Sequence, residues 1–220
     1  MKFPMRSIPL RTSLVALAII TLSSAASAQN RSHAHIGHVG DAWRDTPDGA
    51  GFLPTARAEA DIAATHAGLA VSGEGNLANI KRHIAHVMHA INAESMESGP
   101  GKGYGVLAAA NGIATHIQLA GEAEGASDNV KRHSNHVATS AANVVAWSES
   151  IIERGQALQE ATDAAAALEM AKEIQMMVNS IVSGHDANGD GNVGWGEGEG
   201  GLAQADQHLT LMKQGEGLTR

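Results

Sequence analysis

Histidine is the residue type in this sequence with the clearest capacity for chemistry. In the stretch 79–92, NIKRHIAHVMHAIN, three histidines follow one another at intervals of three: His83, His86 and His89. The nitrogen lone pair of a neutral imidazole suits borderline metal ions such as Zn²⁺, Cu²⁺ and Ni²⁺. The chain has twelve histidines and no cysteine, so thiolate ligands, disulfides and covalently attached c-type haem are excluded. Imidazoles therefore remain as the candidate ligands of a transition metal.

An internal repeat places histidines at matching positions in two copies. Residues 62–92 align without gaps on residues 112–142, and 13 of the 31 pairs are identical, which indicates a duplication. The paired histidines are His66 with His116, His83 with His133, and His86 with His136. His89 has Thr139 as its counterpart, so it lies outside the duplicated pattern.

The repeat predicts the elements that must position these side chains. Each copy divides into two helical segments around a glycine-bearing turn, VSGEGN (71–76) or GEAEGAS (121–127). Asn76 and Ser127 are suitable N-caps for the helices that follow. A glycine-rich segment, SGPGKGYG (98–105), separates the copies. Two successive helical hairpins predict an antiparallel four-helix bundle and an all-α fold.

Helical periodicity predicts which imidazoles reach the core of this bundle. The histidine in the first helix of each copy lies within an apolar stripe, and the first histidine of each second helix borders one. Buried imidazoles need polar partners, and their duplication favours a shared metal ion as that partner. We therefore predict one internal transition-metal site. Its expected ligands are His66, His83, His116 and His133.

Other assignments of the histidines remain open. One is a surface cluster of His83, His86 and His89, and another is that each imidazole simply donates to a backbone carbonyl or a polar neighbour. A short His-rich tract, HAHIGH (33–38), is of a type that can capture metal. The weaker candidate ligands are His33, His35, His38 and His136. A b-type haem is less favoured, because a chain with 3% aromatic residues lacks the bulky lining of a porphyrin pocket.

The segment DANGDGNVGWGE (186–197) carries oxygen ligands at alternate positions. Its candidate ligands are Asp186, Asn188, Asp190, Asn192 and Glu197, with Gly191 at the bend. A hard cation needs about six to eight oxygens, and a tight loop presents them only where a glycine permits the turn. The segment resembles the EF-hand calcium loop, with amphipathic flanks at 167–184 and 201–214 as the entering and exiting helices. Since no second such loop is present, the resemblance implies a single calcium site, either structural or regulatory.

The beginning of the sequence predicts export. A basic segment ending at Arg11 precedes the apolar run SLVALAII (13–20), and the small residues ASA (26–28) follow. This is the pattern of a signal peptide cleaved after Ala28, and it predicts a periplasmic or secreted protein. No run approaches the roughly 20 apolar residues of a membrane span, so no membrane anchor is expected. Removing this segment, with its three basic residues and no acidic one, changes the formal net charge from −8 to −11, which disfavours nucleic acid as a partner.

The sequence thus predicts four regions. They are a signal peptide (1–28), a histidine-rich arm and loop (29–53), a duplicated helical bundle (54–155) and an EF-hand helix pair (156–220). No catalytic motif is found, so no enzymatic activity is predicted. The expected function is that of an exported, calcium-binding protein that binds a Zn, Cu or Ni ion for buffering, storage or delivery. The main alternative is a calcium-stabilised module that binds a protein partner and has no transition-metal site.

Overall fold

A computed structural model describes residues 31–73 and 75–219 of the chain. These residues form α-helices and no β-strand, so the all-α fold class is confirmed for them. The helices are α1 (residues 31–40), α2 (Phe52–Ser72), α3 (Leu77–Ile91), α4 (Val106–Glu122), α5 (Asp128–Gln159), α6 (Ala164–Ser183) and α7 (Leu202–Gly215). The expected signal peptide at 1–28 lies outside the described residues.

Capping side chains set the start of three helices. The side-chain oxygen of Asn76 accepts the backbone N–H of Asn79 at 3.0 Å, at the start of α3. Ser127 accepts the N–H of Val130 at 3.1 Å, at the start of α5. Both predicted N-caps are therefore confirmed. Asp163 caps α6 in the same way, which satisfies an amide that the first turn of a helix leaves unpaired.

One hydrophobic core contains residues from all seven helices. α2 packs against α3, α4 and α6, and α5 packs against α3, α4, α6 and α7. α7 packs far more extensively on α5 than on α6. The expected bundle (54–155) and the expected helix pair (156–220) consequently share a core. The boundary expected between them falls inside α5, which is a continuous helix to Gln159.

Alanine allows the helices to approach one another closely. α2 presents a row of small side chains to its neighbours, each at most 1% exposed: Ala56, Ala60, Ala63, Ala67 and Ala70. Because a methyl group holds adjacent backbones only a short distance apart, side chains at the border of the core reach across from one helix to the next. This close packing brings imidazoles on different helices within contact distance.

A buried carboxylate after α7 joins three separate parts of the chain. The side chain of Glu216 is 4% exposed, and it accepts hydrogen bonds from His33 Nε2 at 2.9 Å, Ser127 Oγ at 2.5 Å and Asn129 Nδ2 at 3.0 Å. Burial raises the pKa of Glu216, but the hydrogen bonds from Ser127, His33 and Asn129 outweigh this effect and hold the pKa below its ordinary value. The carboxylate thereby fixes α1 and α7 against the start of α5.

Candidate metal sites

The structure gathers nine histidines into three groups of three, and each group could hold a metal ion. The first cluster is His35, His38 and His116; the second cluster is His66, His83 and His86; the third cluster is His133, His136 and His208. Within each cluster, one nitrogen of every ring lies within 4.8 Å of the other two. All nine side chains are half-buried, so each cluster lies at the border between the core and solvent.

The three clusters share one geometry. Two histidines, spaced three residues apart, come from one helix, and a single histidine comes from another helix that faces it. The Nδ1 atom of the single histidine contacts the Nδ1 atoms of both paired histidines. These distances are 2.9 and 3.2 Å in the first cluster, 3.0 and 3.3 Å in the second, and 3.1 and 3.2 Å in the third.

The distances between the Nδ1 atom of the single histidine and those of the pair suit three ligands of one metal ion. In a tetrahedral site with metal–nitrogen bonds of about 2.0 Å, two ligand nitrogens lie about 3.3 Å apart. In a neutral imidazole, Nδ1 carries either a proton or a lone pair. The Nδ1 of the single histidine can therefore make a good hydrogen bond with only one of the two paired nitrogens at a time. A metal ion would accept a lone pair from all three Nδ1 atoms. The half-exposed position of each cluster leaves room for a fourth ligand from solvent.

Local electrostatics lower the pKa of eight cluster histidines: His35, His66, His83, His86, His116, His133, His136 and His208. Burial lowers the pKa of His116 and of His66, and the neighbouring histidines of each cluster lower it further. The effect is largest in the third cluster, where burial together with His136 and His133 lowers the pKa of His208 to about 4. A protonated ring cannot bind a metal. The lowered pKa values leave a lone pair available on these rings near neutral pH.

A short sequence pattern accounts for the position of the paired histidines. Each pair belongs to the pattern His-x-x-His-Val, which ends at Val39 in α1, Val87 in α3 and Val137 in α5. These three valines are fully buried. Because residues one and four positions before a buried helical residue lie at the border of its apolar face, both imidazoles project along the edge of the core.

The single histidines also share a signature. His66, His116 and His208 are each followed after three residues by an exposed leucine. The repeat at 62–92 and 112–142 contains two copies of the complete unit, in which the single histidine precedes the pair. The remaining pair, His35 and His38, lies on α1, and the remaining single histidine, His208, lies on α7, so these three residues are not contiguous in sequence. His208 was missed from the sequence for that reason. The usable signals were a third His-x-x-His-Val at 35–39, which lacked a single histidine, and the leucine three residues after His208.

The structure does not bring together the four ligands expected for one internal site. His66 and His83 share the second cluster, whereas His116 lies in the first and His133 in the third. In the first hairpin, the single histidine of α2 meets the pair on α3. In the second hairpin, α1 supplies the partners of His116 and α7 supplies His208 for the pair on α5, so the two copies differ in their neighbours.

The remaining candidate histidines have separate positions. His86 and His136, the second histidines of their helices, are members of clusters because α2 and α7 cover that side of α3 and α5. The alternative surface cluster with His89 does not form: His89 is 7% exposed, and its Nδ1 donates to the carbonyl of Pro100 at 2.9 Å. His33 donates to Glu216 and joins no cluster, whereas His35 and His38 are members of the first.

The EF-hand-like segment forms a turn organised by its own side chains. The carboxylate of Asp186 accepts hydrogen bonds from the backbone amides of Gly189, Asp190 and Gly191, at 2.8, 3.1 and 2.9 Å. Asn188 Oδ1 accepts the N–H of Asp190, and Asp190 Oδ1 accepts that of Asn192, each at 2.8 Å. Gly191 has a φ of +85°, so this bend requires glycine, as the resemblance implies.

The exiting helix agrees with the expected flank, whereas Glu197, the last expected ligand, lies at the surface. α7 begins at Leu202, within one residue of the flank predicted at 201–214, and Glu197 is exposed and lines a surface cavity beside α5. The carboxylate that turns back into the segment is the buried Glu199, whose Oε2 accepts the N–H of Gly194 at 2.9 Å. Among the residues that the structure describes, only the three histidine clusters bring three or more His, Asp or Glu ligand atoms within 4.8 Å of one another.

Comparisons with known proteins add no family to this description. No family model matches the chain, and neither the curated proteins nor the solved structures contain a significant match. The functional argument therefore depends on the geometry of the clusters.

The lowered imidazole pKa values predict how the stability of the metal-free protein depends on pH. Between the unfolded value of about 6.5 and the lower folded values, the unfolded chain binds more protons than the folded chain. The free energy of unfolding should therefore fall as the pH decreases below about 6.5, with the contribution of His208 extending to about pH 4. Urea denaturation of the metal-free protein between pH 7 and pH 4.5 measures this slope.

A matched variant identifies the source of the effect. His208→Gln keeps a polar side chain of similar size but cannot titrate, so its stability should decrease less steeply over the same range. The exposed His185, which belongs to no cluster, provides the control variant His185→Gln. An identical slope in wild type and His208→Gln would contradict this assignment.

Proposed function

We propose that this protein binds up to three transition-metal ions, one in each histidine cluster, and thereby buffers, stores or delivers them. The observation that carries the proposal is the recurrence of one geometry: in three places, a pair of histidines and a single histidine meet through the same ring nitrogen at 2.9–3.3 Å. A single contact between imidazoles has a simple structural explanation. Three sets of contacts with the same atoms and similar spacing favour a metal ion shared by the three rings of each set.

The donor set favours Zn²⁺ or copper or nickel ions. Each cluster offers only imidazole nitrogens, which suit borderline metals, and none includes a carboxylate of the type that Ca²⁺, Mg²⁺ or Mn²⁺ prefers. A b-type haem is poorly supported, because its two axial ligands approach iron from opposite faces of a porphyrin. Three rings that converge on one point leave no space for such a plane between them.

The surroundings of the clusters favour binding and release over catalysis. A surface cavity of about 780 Å³ is lined by Trp147, Arg154, Glu173 and neighbouring residues and by no cluster histidine. No cluster contains an Asp or Glu that could transfer protons beside a bound water. A half-exposed ion with an open coordination position can instead exchange with carriers in solution.

Export and calcium binding belong to the same proposal. The basic and apolar residues of 1–28 support an exported protein, and among the described helices none is long and apolar enough to cross a bilayer. We further propose that the segment 186–197 binds Ca²⁺. Support comes from its sequence and from the carboxylate of Asp186, which already turns inward onto three backbone amides.

The competing proposal is a protein-interaction module whose histidines serve only structural roles. On that account, the contacts between imidazoles would be hydrogen bonds within a polar border of the core. Such a protein would bind no metal stoichiometrically at the clusters. Metal titration distinguishes the two proposals directly.

Titration of the mature, untagged protein with Zn²⁺ should give about three equivalents per chain. His66→Ala, His116→Ala and His208→Ala each remove one ligand of a different cluster, so each variant should lose one equivalent and retain the other two. Isothermal titration together with elemental analysis after gel filtration measures the stoichiometry. His185→Ala should retain all three, since His185 is exposed and lies outside the clusters. A wild type without stoichiometric binding would support the interaction module instead.

Calcium should raise the melting temperature of the wild type, because a ligand that binds only the folded state stabilises it. Asp186→Ala should abolish this increase, and Glu197→Gln should weaken it strongly if that residue supplies two oxygens, as the EF-hand resemblance implies. Differential scanning calorimetry with and without Ca²⁺ measures the effect. Glu153→Ala, an exposed substitution on α5, is the control. An equal response in wild type and Asp186→Ala would contradict calcium binding in this segment.

A further inference from the structure

Aromatic side chains distinguish the three clusters from one another. In the third cluster, the indole of Trp195 stacks face to face on the imidazole of His136, with ring centroids 3.8 Å apart and an angle of 17° between the planes. This is the closest ring contact made by any cluster histidine. It holds one ligand ring in a fixed orientation while its Nδ1 contacts His208.

Trp195 is held in place by the attachment of its loop to α5. The side chain of Asn143 donates to the carbonyls of Gly196 and Gly200, at 2.9 and 3.0 Å, and accepts the N–H of Gly198 at 2.9 Å. Asn143 is 6% exposed and lies on the same helix as His136. At Gly200 an added Cβ would clash with Ser140 Oγ, so the backbone of the loop lies directly against α5. The loop that carries Trp195 is therefore held against α5 by several contacts.

The first cluster has its own aromatic neighbours. The indole of Trp43 packs against His38 and His116, with centroid distances of 4.7 and 4.8 Å. Phe52, which is buried, stacks on His116 at 5.2 Å with an angle of 29° between the rings. Two of the three ligand rings in this cluster are thus restrained by side chains that are not ligands.

The second cluster has no such support among the residues that the structure describes. The rings of His66, His83 and His86 contact one another, at centroid distances of 4.6–5.6 Å, and no Trp, Tyr or Phe ring packs on them there. The donor atoms are the same as in the other clusters, and the Nδ1 distances are similar. The clusters consequently differ in what restrains their ligands.

We propose that the aromatic contacts make the first and third clusters retaining sites and leave the second cluster as the exchange site. This inference rests on the proposed function, since it assigns different roles to the three metal sites. Groups that orient the ligands around a metal raise its affinity, and losing one typically weakens binding about 10–100-fold. A ring that is already fixed loses little entropy on binding, and it must break a stacking contact before it can leave the ion.

The unsupported rings of the second cluster allow an ion to pass between carriers. Each imidazole there can rotate away without breaking a contact with a Trp, Tyr or Phe ring, so a competing ligand can replace the three nitrogens one at a time. An ion held by stacked rings cannot be removed by this stepwise route at the same rate. The retaining sites would fill first and empty last, and the exchange site would follow the free concentration of the ion outside.

A chelator challenge of the fully loaded protein tests the assignment. Protein with three equivalents of Zn²⁺ is mixed with excess chromogenic chelator, and release is followed by absorbance. We expect one fast equivalent and two slow equivalents in the wild type. His66→Ala should lose the fast equivalent alone, whereas His208→Ala should retain it and lose one slow equivalent.

Variants of the tryptophans test the cause. Trp195→Ala should convert one slow equivalent into a fast one, with a release rate increased roughly tenfold or more, and Trp195→Phe should restore most of the retention because it can still stack. Trp147→Ala is the matched control, because among the described residues only Trp43 and Trp195 make tryptophan ring contacts with cluster histidines. Trp195 is 42% exposed, so its removal leaves the core intact, and circular dichroism verifies the fold of each variant.

Three equivalents released at one rate, a fast phase that persists in His66→Ala, or an unchanged release profile in Trp195→Ala would each overturn the assignment. These outcomes differ from failure of the proposed function, in which the wild type would bind no stoichiometric Zn²⁺ at all. Quenching of tryptophan fluorescence by Cu²⁺ gives a second measurement. The first two equivalents should quench strongly, since two of the three tryptophans adjoin the retaining sites, and the third should add little.

Discussion

The structure depends on one constraint: three imidazoles can converge through the same nitrogen only if two helices are held in a fixed axial register. A helix alone can place two histidines side by side, three residues apart, but the third must come from another element. A displacement of one residue between the helices moves a side chain by 1.5 Å along the axis and by about 100° around it, which would separate the three nitrogens. Each cluster therefore depends on close packing between the helices that supply it.

The composition of the core provides that packing. Buried alanines bring the helices together, and buried valines beside the histidine pairs hold the imidazoles at the border of the core. α1 and α7 complete the arrangement around the second hairpin, where the carboxylate of Glu216 fixes both of them to α5. The helices that carry the first and third clusters therefore contribute residues to the same core as the rest of the bundle.

Much of the local structure could be predicted from the sequence, because helix caps, glycine-bearing turns and the repeat depend on short-range patterns. The all-α class and the caps at Asn76 and Ser127 follow from such patterns. The pairing of histidines does not, since His116 and His133 have the same sequence context as His66 and His83 and yet find different partners. Their partners are decided by α1 and α7, which lie far away in sequence and which no periodicity within the repeat can locate.

The central claim is that three imidazole Nδ1 atoms bind one metal ion at each of three places. Anomalous diffraction from crystals grown with Zn²⁺, recorded above and below the zinc absorption edge, tests it directly. The account predicts three peaks per chain, each about 2 Å from the Nδ1 atoms of one pair and one single histidine. A single peak shared between clusters, peaks at outward-facing nitrogens, or no peak at any cluster would contradict it.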